Sequence, residues 1–150
     1  MHCMRELKVN VRKLRAGARL PAYGSGGAAG ADLFARLGAT VSIPPGGSAF
    51  IPTGLAIAIP PGYAGLVYAR SGLACKSGLA PANKVGVIDS DYRGEVMVCL
   101  HNHSGEPRDV ADGDRIAQLV VAETPRAEFS EAEDLGETGR GAGGFGSTGR

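Results

Sequence analysis

Short apolar runs that alternate with polar residues, each closed by Pro or Gly, set the pattern of this chain. Leu7, Val9 and Val11 alternate with Lys8, Asn10 and Arg12, the spacing of a half-buried strand. Val41–Pro45 and Ala49–Pro52 predict short strands around a Pro-Gly-Gly turn. Leu55, Ile57 and Ile59 then share one face, Pro60-Pro61-Gly62 turns the chain, and Leu66–Ala69 is the next strand. Val85–Ile88 and Val96–Leu100 flank Asp89–Gly94, a stretch rich in Asp, Ser and Gly that predicts the turn of a β-hairpin. Gly113–Val121 is a turn feeding a last strand. Period two puts Ile116, Gln118 and Val120 on one face of it and Arg115 on the other. Many short strands with Pro/Gly turns predict an all-β antiparallel sandwich or barrel.

One segment breaks the alternation. Arg70–Gly78 follows a strand and predicts one or two helical turns, with Ser71 as N-cap and Gly78 at the C′ position. Arg70 beside such a helix start suits phosphate oxygens, because a guanidinium fork can engage two at once; a capped surface turn has the same sequence. Asp32 follows a glycine- and alanine-rich approach and enters an apolar strand, so its carboxylate must be hydrogen-bonded or paired. It serves either loop amides or a metal- or substrate-facing role. Asn83 can hydrogen-bond a base edge in both directions, or cap a turn. His101 and His103 share a strand face but have no third ligand in view, and read as surface histidines.

Composition narrows the classes. The chain has 150 residues, enough for one domain with a core. A formal net charge of +1 supplies no general pull toward nucleic acid or acidic membrane. Its 24 glycines, 9 prolines and absence of Trp favour turns over helical bundles. Cys3, Cys75 and Cys99 make neither a disulfide framework nor a zinc pattern, which favours a reducing compartment. No apolar run approaches the ~20 residues of a membrane span and no secretory signal is apparent, so the expected location is cytoplasmic. Residues 139–150 are rich in glycine and carry Arg140 and Phe145. They read as a flexible tail, or as a lid whose amides and Arg140 wrap phosphates while Phe145 covers a base.

Five stretches, taken together, resemble the motifs of the trimeric dUTPases (dUTP pyrophosphatases), in that family's order: Ala29–Ala35, Arg70–Ala74, Asn83–Glu95, Gly113–Leu119 and Arg140–Gly149. The one small departure is Ala69, where the family usually has proline. The resemblance implies a jelly-roll-like β-domain over 1–138 and a C-terminal arm over 139–150 that closes over the active site of a neighbouring subunit. It implies a homotrimer with shared sites, without nucleic-acid or membrane partners. The implied reaction is hydrolysis of dUTP to dUMP and pyrophosphate, which limits uracil in DNA and supplies dUMP for dTMP synthesis.

The same resemblance assigns roles. Asp89 is the general base. Arg70, Ser71, Gly72 and Gln118 hold phosphates. Asn83 with the backbone of Gly86, Val87 and Ile88 reads the uracil edge. Tyr92 packs on deoxyribose. Arg140, Gly146, Ser147 and Thr148 close over the phosphate end, and Phe145 stacks on the base. Mg²⁺ is expected on the triphosphate and water, with Asp32 acting on it indirectly through water, and Asp91 is structural. The alternatives are a dCTP deaminase-like enzyme, or a non-catalytic nucleotide-binding module, on the same fold.

Overall fold

The computed structural model describes residues 6–144. Among them lie twelve strands and one helix. A five-stranded antiparallel sheet has the order β2 (Ala22–Tyr23), β3 (Ala31–Phe34), β12 (Arg115–Glu123), β7 (Tyr63–Tyr68), β9 (Gly86–Ile88). A three-stranded sheet places β10 (Met97–Asn102) between β5 (Ser48–Pro52) and β8 (Leu79–Pro81). Two ribbons pair β1 (Asn10–Lys13) with β6 (Leu55–Ala58), and β4 (Val41–Ile43) with β11 (Arg108–Val110). The result is the all-β fold that the short, turn-punctuated strands predict, in the jelly-roll-like form that the resemblance implies.

Alternation drives the packing. Leu33, Ile43, Ile51, Leu55, Ile57, Ile59, Leu100 and Ile116 are fully buried in one continuous core. Leu55, Ile57 and Ile59 share a face as predicted. Gly65 of β7 lies directly opposite Ile88 of β9 in the same sheet. A Cβ there would stand 3.0 Å from Ile59 Cδ1 and 3.1 Å from Ile88 Cβ, so the missing side chain is what lets β9 seat against the core. Two polar side chains are fully buried, and both are bonded. Thr53 Oγ1 donates to Val96 O at 2.6 Å. Asn102 Nδ2 donates to Ile43 O at 2.9 Å and to Glu106 O at 2.7 Å, tying β4 to the turn after β10. Removing that amide would take a partner from the buried Ile43 carbonyl, at about 1–3 kcal/mol, whereas Glu106 O keeps the Ser104 hydroxyl at 3.0 Å.

Three local expectations are corrected. Val85–Ile88 and Val96–Leu100 do not form a hairpin. β9 pairs with β7 at the edge of the large sheet, and β10 lies in the middle of the other. Asp89–Glu95 therefore carries the chain from one sheet to the other. The helix α1 runs Ser71–Ser77 with Arg70 at the N-cap position and no side-chain cap, so Ser71 is its first residue and not its cap. Its C-terminus follows the sequence, since Gly78 is left-handed at φ 70 and donates to Ala74 O and Leu73 O.

The third correction concerns β12. Its register against β3 shifts between Arg115 and Ala117, an irregularity that places both Ile116 and Ala117 in the core. Ile116 therefore does not share a face with Gln118. Gln118 lies directly opposite Asp32, and Arg115 reaches the same Asp32 instead of facing away. After Glu123 no regular element follows within the described residues, and 124–142 are exposed throughout.

Candidate active site

Two groups of side chains stand out, at different places on the chain. The first surrounds the Asp89 loop. Ile88 anchors it in the core, and Thr53 N–H and Val96 N–H close its far end through bonds to Val96 O (3.2 Å) and Leu55 O (2.8 Å). Between them Tyr92 N–H donates to Asp89 O at 3.2 Å. Arg93 Nη1 donates to both Ser90 O (2.8 Å) and Tyr92 O (2.9 Å), lacing the tip from above. Tyr92 Oη donates to Glu95 O at 2.8 Å.

This loop and β9 form one side of a slot of about 360 Å³. Asn83, Gly86, Val87, Ile88, Asp89 and Tyr92 all line it, together with Phe50, Met97 and Cys99 from the facing sheet. The residues expected to read a base edge and a sugar are thus gathered in a single cavity. Gly86 lies close against its neighbours there: a Cβ would come within 3.2 Å of Val67 Cβ and 3.4 Å of Asn83 Nδ2. The turn before it is tight. Lys84 has φ 65 and Val85 N–H donates to Asn83 O at 2.7 Å, which fixes the backbone that presents Asn83. On the other side of Asp89 lies an open cleft of about 980 Å³, walled by Val87, Asp89, Ser90, Asp91 and the segment Glu123–Arg126.

The second group is an arginine–carboxylate rim at the far end of β7. Arg70 Nε donates to Asp32 Oδ1 at 2.8 Å, and Arg115 Nη1 to Asp32 Oδ2 at 3.5 Å. Both oxygens of the carboxylate are engaged, which satisfies the requirement its apolar surroundings impose. Arg70 meets Asp32 through Nε, so its two terminal nitrogens are left for other oxygens. Gln118 Nε2 donates to Ala69 O at 2.8 Å. A Cβ on Gly30 would lie 2.5 Å from Gln118 Oε1, so the glycine makes room for this side chain. Ser71 and Gly72 are exposed at the first turn of α1, next to Arg70. Asp109 and Asp114 line the same cavity as Arg70 and Arg115, so basic and acidic groups meet along this rim.

The chain does not bring the two groups together. The cavity that Arg70 and Arg115 line shares no residue with the Asp89 slot. Arg140 joins neither: its Nε donates to Gly143 O at 2.6 Å within a local turn. Phe145, Gly146, Ser147 and Thr148 lie outside the described residues. Sequence reasoning missed Arg93, Glu95, Arg115, Gly30 and Gly94. None carries a local signal of its own, since each acts through a contact that only the fold creates. Among the described residues no group of three or more His, Cys, Asp or Glu could cage a metal.

A jelly-roll-like fold with a slot that holds a carboxylate beside Asn83 and Tyr92, and a separate arginine–carboxylate rim, fits a class, the all-β nucleotide hydrolases. Comparison with known proteins sharpens this. A family model described as dUTPase matches residues 16–149. A deoxyuridine 5'-triphosphate nucleotidohydrolase of Desulfitobacterium hafniense (strain DSM 10664 / DCB-2) is 54% identical over 149 residues, covering 97% of this chain and 99% of that protein. One from Anaeromyxobacter sp. (strain Fw109-5) is 52% identical, over 96% and 100%. Among solved structures, a dUTPase of Staphylococcus bacteriophage 80alpha with dUpNHpp superposes with a TM-score of 0.83 at 29% identity, covering 95% of this chain and 99% of the other. The dUTPase of phage phi11 of S. aureus, described with a structural Mg(II) ion, gives 0.76 at 28%, over 86% and 99%. The chain belongs to the dUTPase family.

Proposed function

We propose that this protein hydrolyses dUTP to dUMP and pyrophosphate, with Asp89 as general base. The observation that carries this reading is the slot that collects Asn83, Gly86–Ile88, Asp89 and Tyr92 around one cavity. A uracil lies along β9, with the Asn83 amide and backbone groups of Gly86–Ile88 answering its donors and acceptors. Tyr92 stands against the deoxyribose. Asp89 takes a proton from a water as that oxygen attacks the α-phosphorus in line. The bond from the α-phosphorus to the bridging oxygen breaks, and pyrophosphate leaves with the electron pair. Positioning and charge neutralisation supply most of the acceleration in such a transfer.

Arg70, Ser71, Gly72 and Gln118 hold the phosphates. In one chain they lie away from Asp89, and an open cleft adjoins the base. Phe129 and Leu135 stand 95% and 93% exposed on the segment after β12. These facts support a homotrimer in which one copy's rim meets another's slot and the C-terminal arm, with Arg140, Phe145 and Gly146–Thr148, closes a neighbour's site. Domain limits of 1–138 and 139–150 belong to the same reading, although regular structure ends at Glu123.

The donor set fits Mg²⁺ carried by the triphosphate. No protein cage is present among the described residues, and magnesium keeps its waters readily. When bound, the ion neutralises phosphate charge. Asp32, already shared by two arginines, orients the rim and would act on the ion only indirectly, through water. Removing dUTP in this way would limit uracil in DNA and supply dUMP for dTMP synthesis. The test is pyrophosphate release with Mg²⁺ from dUTP, UTP, dTTP and dCTP. Release from dUTP alone is expected. Release from none, or ammonia from dCTP, would overturn the proposal.

A further inference from the structure

The loop that carries Asp89 is tied down by a residue to which the reaction assigns no part. Glu95 Oε1 accepts from Gly54 N–H at 2.9 Å, and Glu95 Oε2 from Arg15 Nη2 at 3.3 Å. Gly54 turns the chain between β5 and β6 at φ 70, and its amide has no other partner in that turn than this carboxylate. The next residue, Val96, is held on both sides, by Leu55 O at 2.8 Å and by Thr53 N–H and Oγ1 at 3.2 and 2.6 Å. The segment is thus held at Glu95 through its side chain on Gly54 and at Val96 through Leu55 and Thr53, and it is the Glu95 backbone carbonyl that receives Tyr92 Oη–H at 2.8 Å. Gly94 completes the arrangement. A Cβ there would stand 2.5 Å from Tyr92 Oη and 2.7 Å from Cζ, so only glycine lets the phenol fold over the backbone.

We propose that Glu95 is a positioning residue for sugar selection: it pins the loop to the β5–β6 turn so that Tyr92 meets the sugar with its ring and not with its hydroxyl. The inference rests on the reading of Tyr92 as the sugar contact. With its hydroxyl turned inward and bonded, Tyr92 offers a 2′-hydroxyl no hydrogen-bond partner. A ribose bound there would lose its water bonds and gain nothing, and sites discriminate most strongly through such unpaired polar groups. Freed from Glu95 O, the phenol can swing and bond the 2′-hydroxyl, and discrimination falls. The Arg15 pair lies at the surface and adds little. The acceptor for Gly54 N–H is what matters, so glutamine should serve almost as well as glutamate.

The experiment measures kcat and KM separately for dUTP and UTP in the full-length protein. Wild-type turnover of dUTP is read first, and its absence would count against the functional reading and not against Glu95. In Glu95→Ala, the UTP-to-dUTP ratio of kcat/KM should rise about five- to tenfold, the scale of one hydrogen bond. The kcat on dUTP should stay within about threefold. Glu95→Gln should keep most of the wild-type ratio. Tyr92→Phe, which has no hydroxyl to offer a 2′-hydroxyl, should leave the ratio near that of wild type, and in combination with Glu95→Ala it should cancel the rise, because that rise needs the freed phenol. If the alanine variant does not fold, Glu95→Asp, one methylene short of Gly54, takes its place in the same cycle. An unchanged ratio in the alanine variant, additive effects with Tyr92→Phe, or equal losses on both nucleotides that glutamine fails to restore would each overturn the proposal.

Discussion

Gly30→Ala is the substitution whose sign the structure decides most sharply. Gly30 has no left-handed backbone to protect, so on conformational grounds alanine should stabilise the protein by about 0.4–1 kcal/mol by stiffening the unfolded chain. The contacts say otherwise. The new Cβ would lie 2.5 Å from Gln118 Oε1, 3.0 Å from Cδ and 3.1 Å from Cβ. The first two atoms can swing away, but the third is attached to β12 and moves only with the strand. Displacing the amide also breaks its bond to Ala69 O. Overpacking of this kind costs about 1–3 kcal/mol, which outweighs the entropic gain and leaves a net loss of about 1–2 kcal/mol. Urea unfolding should show a lower midpoint with an unchanged slope. On the proposed assignment of Gln118 to the phosphates, KM for dUTP should rise as well, because the amide is displaced. Gln118→Ala in the same chain removes two of the three clashing atoms, so the double variant should be less destabilised than the sum of the singles. A Gly30→Ala protein as stable as wild type, or strict additivity with Gln118→Ala, would refute the reasoning.

Further outcomes follow from other contacts. Asp89→Asn should still bind a non-hydrolysable dUTP analogue in calorimetry while turnover falls about 10²–10⁴-fold, the usual worth of a general base. Ending the chain at residue 138 should leave the circular dichroism of the β-domain intact and remove most dUTP hydrolysis. Chelation of Mg²⁺ should lower turnover, with recovery on adding the ion back. Asp112 is held below the ordinary carboxylate range, first by the Leu37 N–H at 2.7 Å and then by Arg36 at 3.0 Å. A depressed carboxylate stabilises the fold above its unfolded pKa, roughly 3.9, and that stability is lost as pH falls through the lower folded value. The gap in melting temperature between wild type and Asp112→Ala should therefore be full at neutral pH and close only in strong acid.

Much of this architecture is legible along the chain. The period-two face of Leu55, Ile57 and Ile59 and the Gly78 helix stop are local matters, decided by neighbours within a few residues. What stayed hidden depends on partners far away. Val85–Ile88 and Val96–Leu100 each carry a strand signal, but nothing in either names its neighbour, and the short connection suggested a hairpin that the fold does not make. The shift in β12 is invisible to a strict alternation, which puts Arg115 on the wrong face by one residue of register. β2, β8 and β11 are two or three residues long and too brief to leave a pattern. The candidate site divides the same way. Asn83, Asp89 and Tyr92 are close in sequence and share one slot, whereas Glu95 acquires its part only because residue 54 lies beside it.

The position of β12 has a consequence for how the protein is made. The last strand in sequence sits between β3 and β7, in the interior of the largest sheet. Until residues 115–123 leave the ribosome, two strands with apolar inner faces wait with open edges. Closure then joins segments more than eighty residues apart, as Leu119 meets Ala31. Such non-local pairing places the domain among the slower folders, on the scale of about milliseconds to seconds. Exposed strand edges invite pairing with other chains during that interval. Asp32 and Gln118 face each other across this seam, so the arginine–carboxylate rim exists only once synthesis of the sheet is nearly complete.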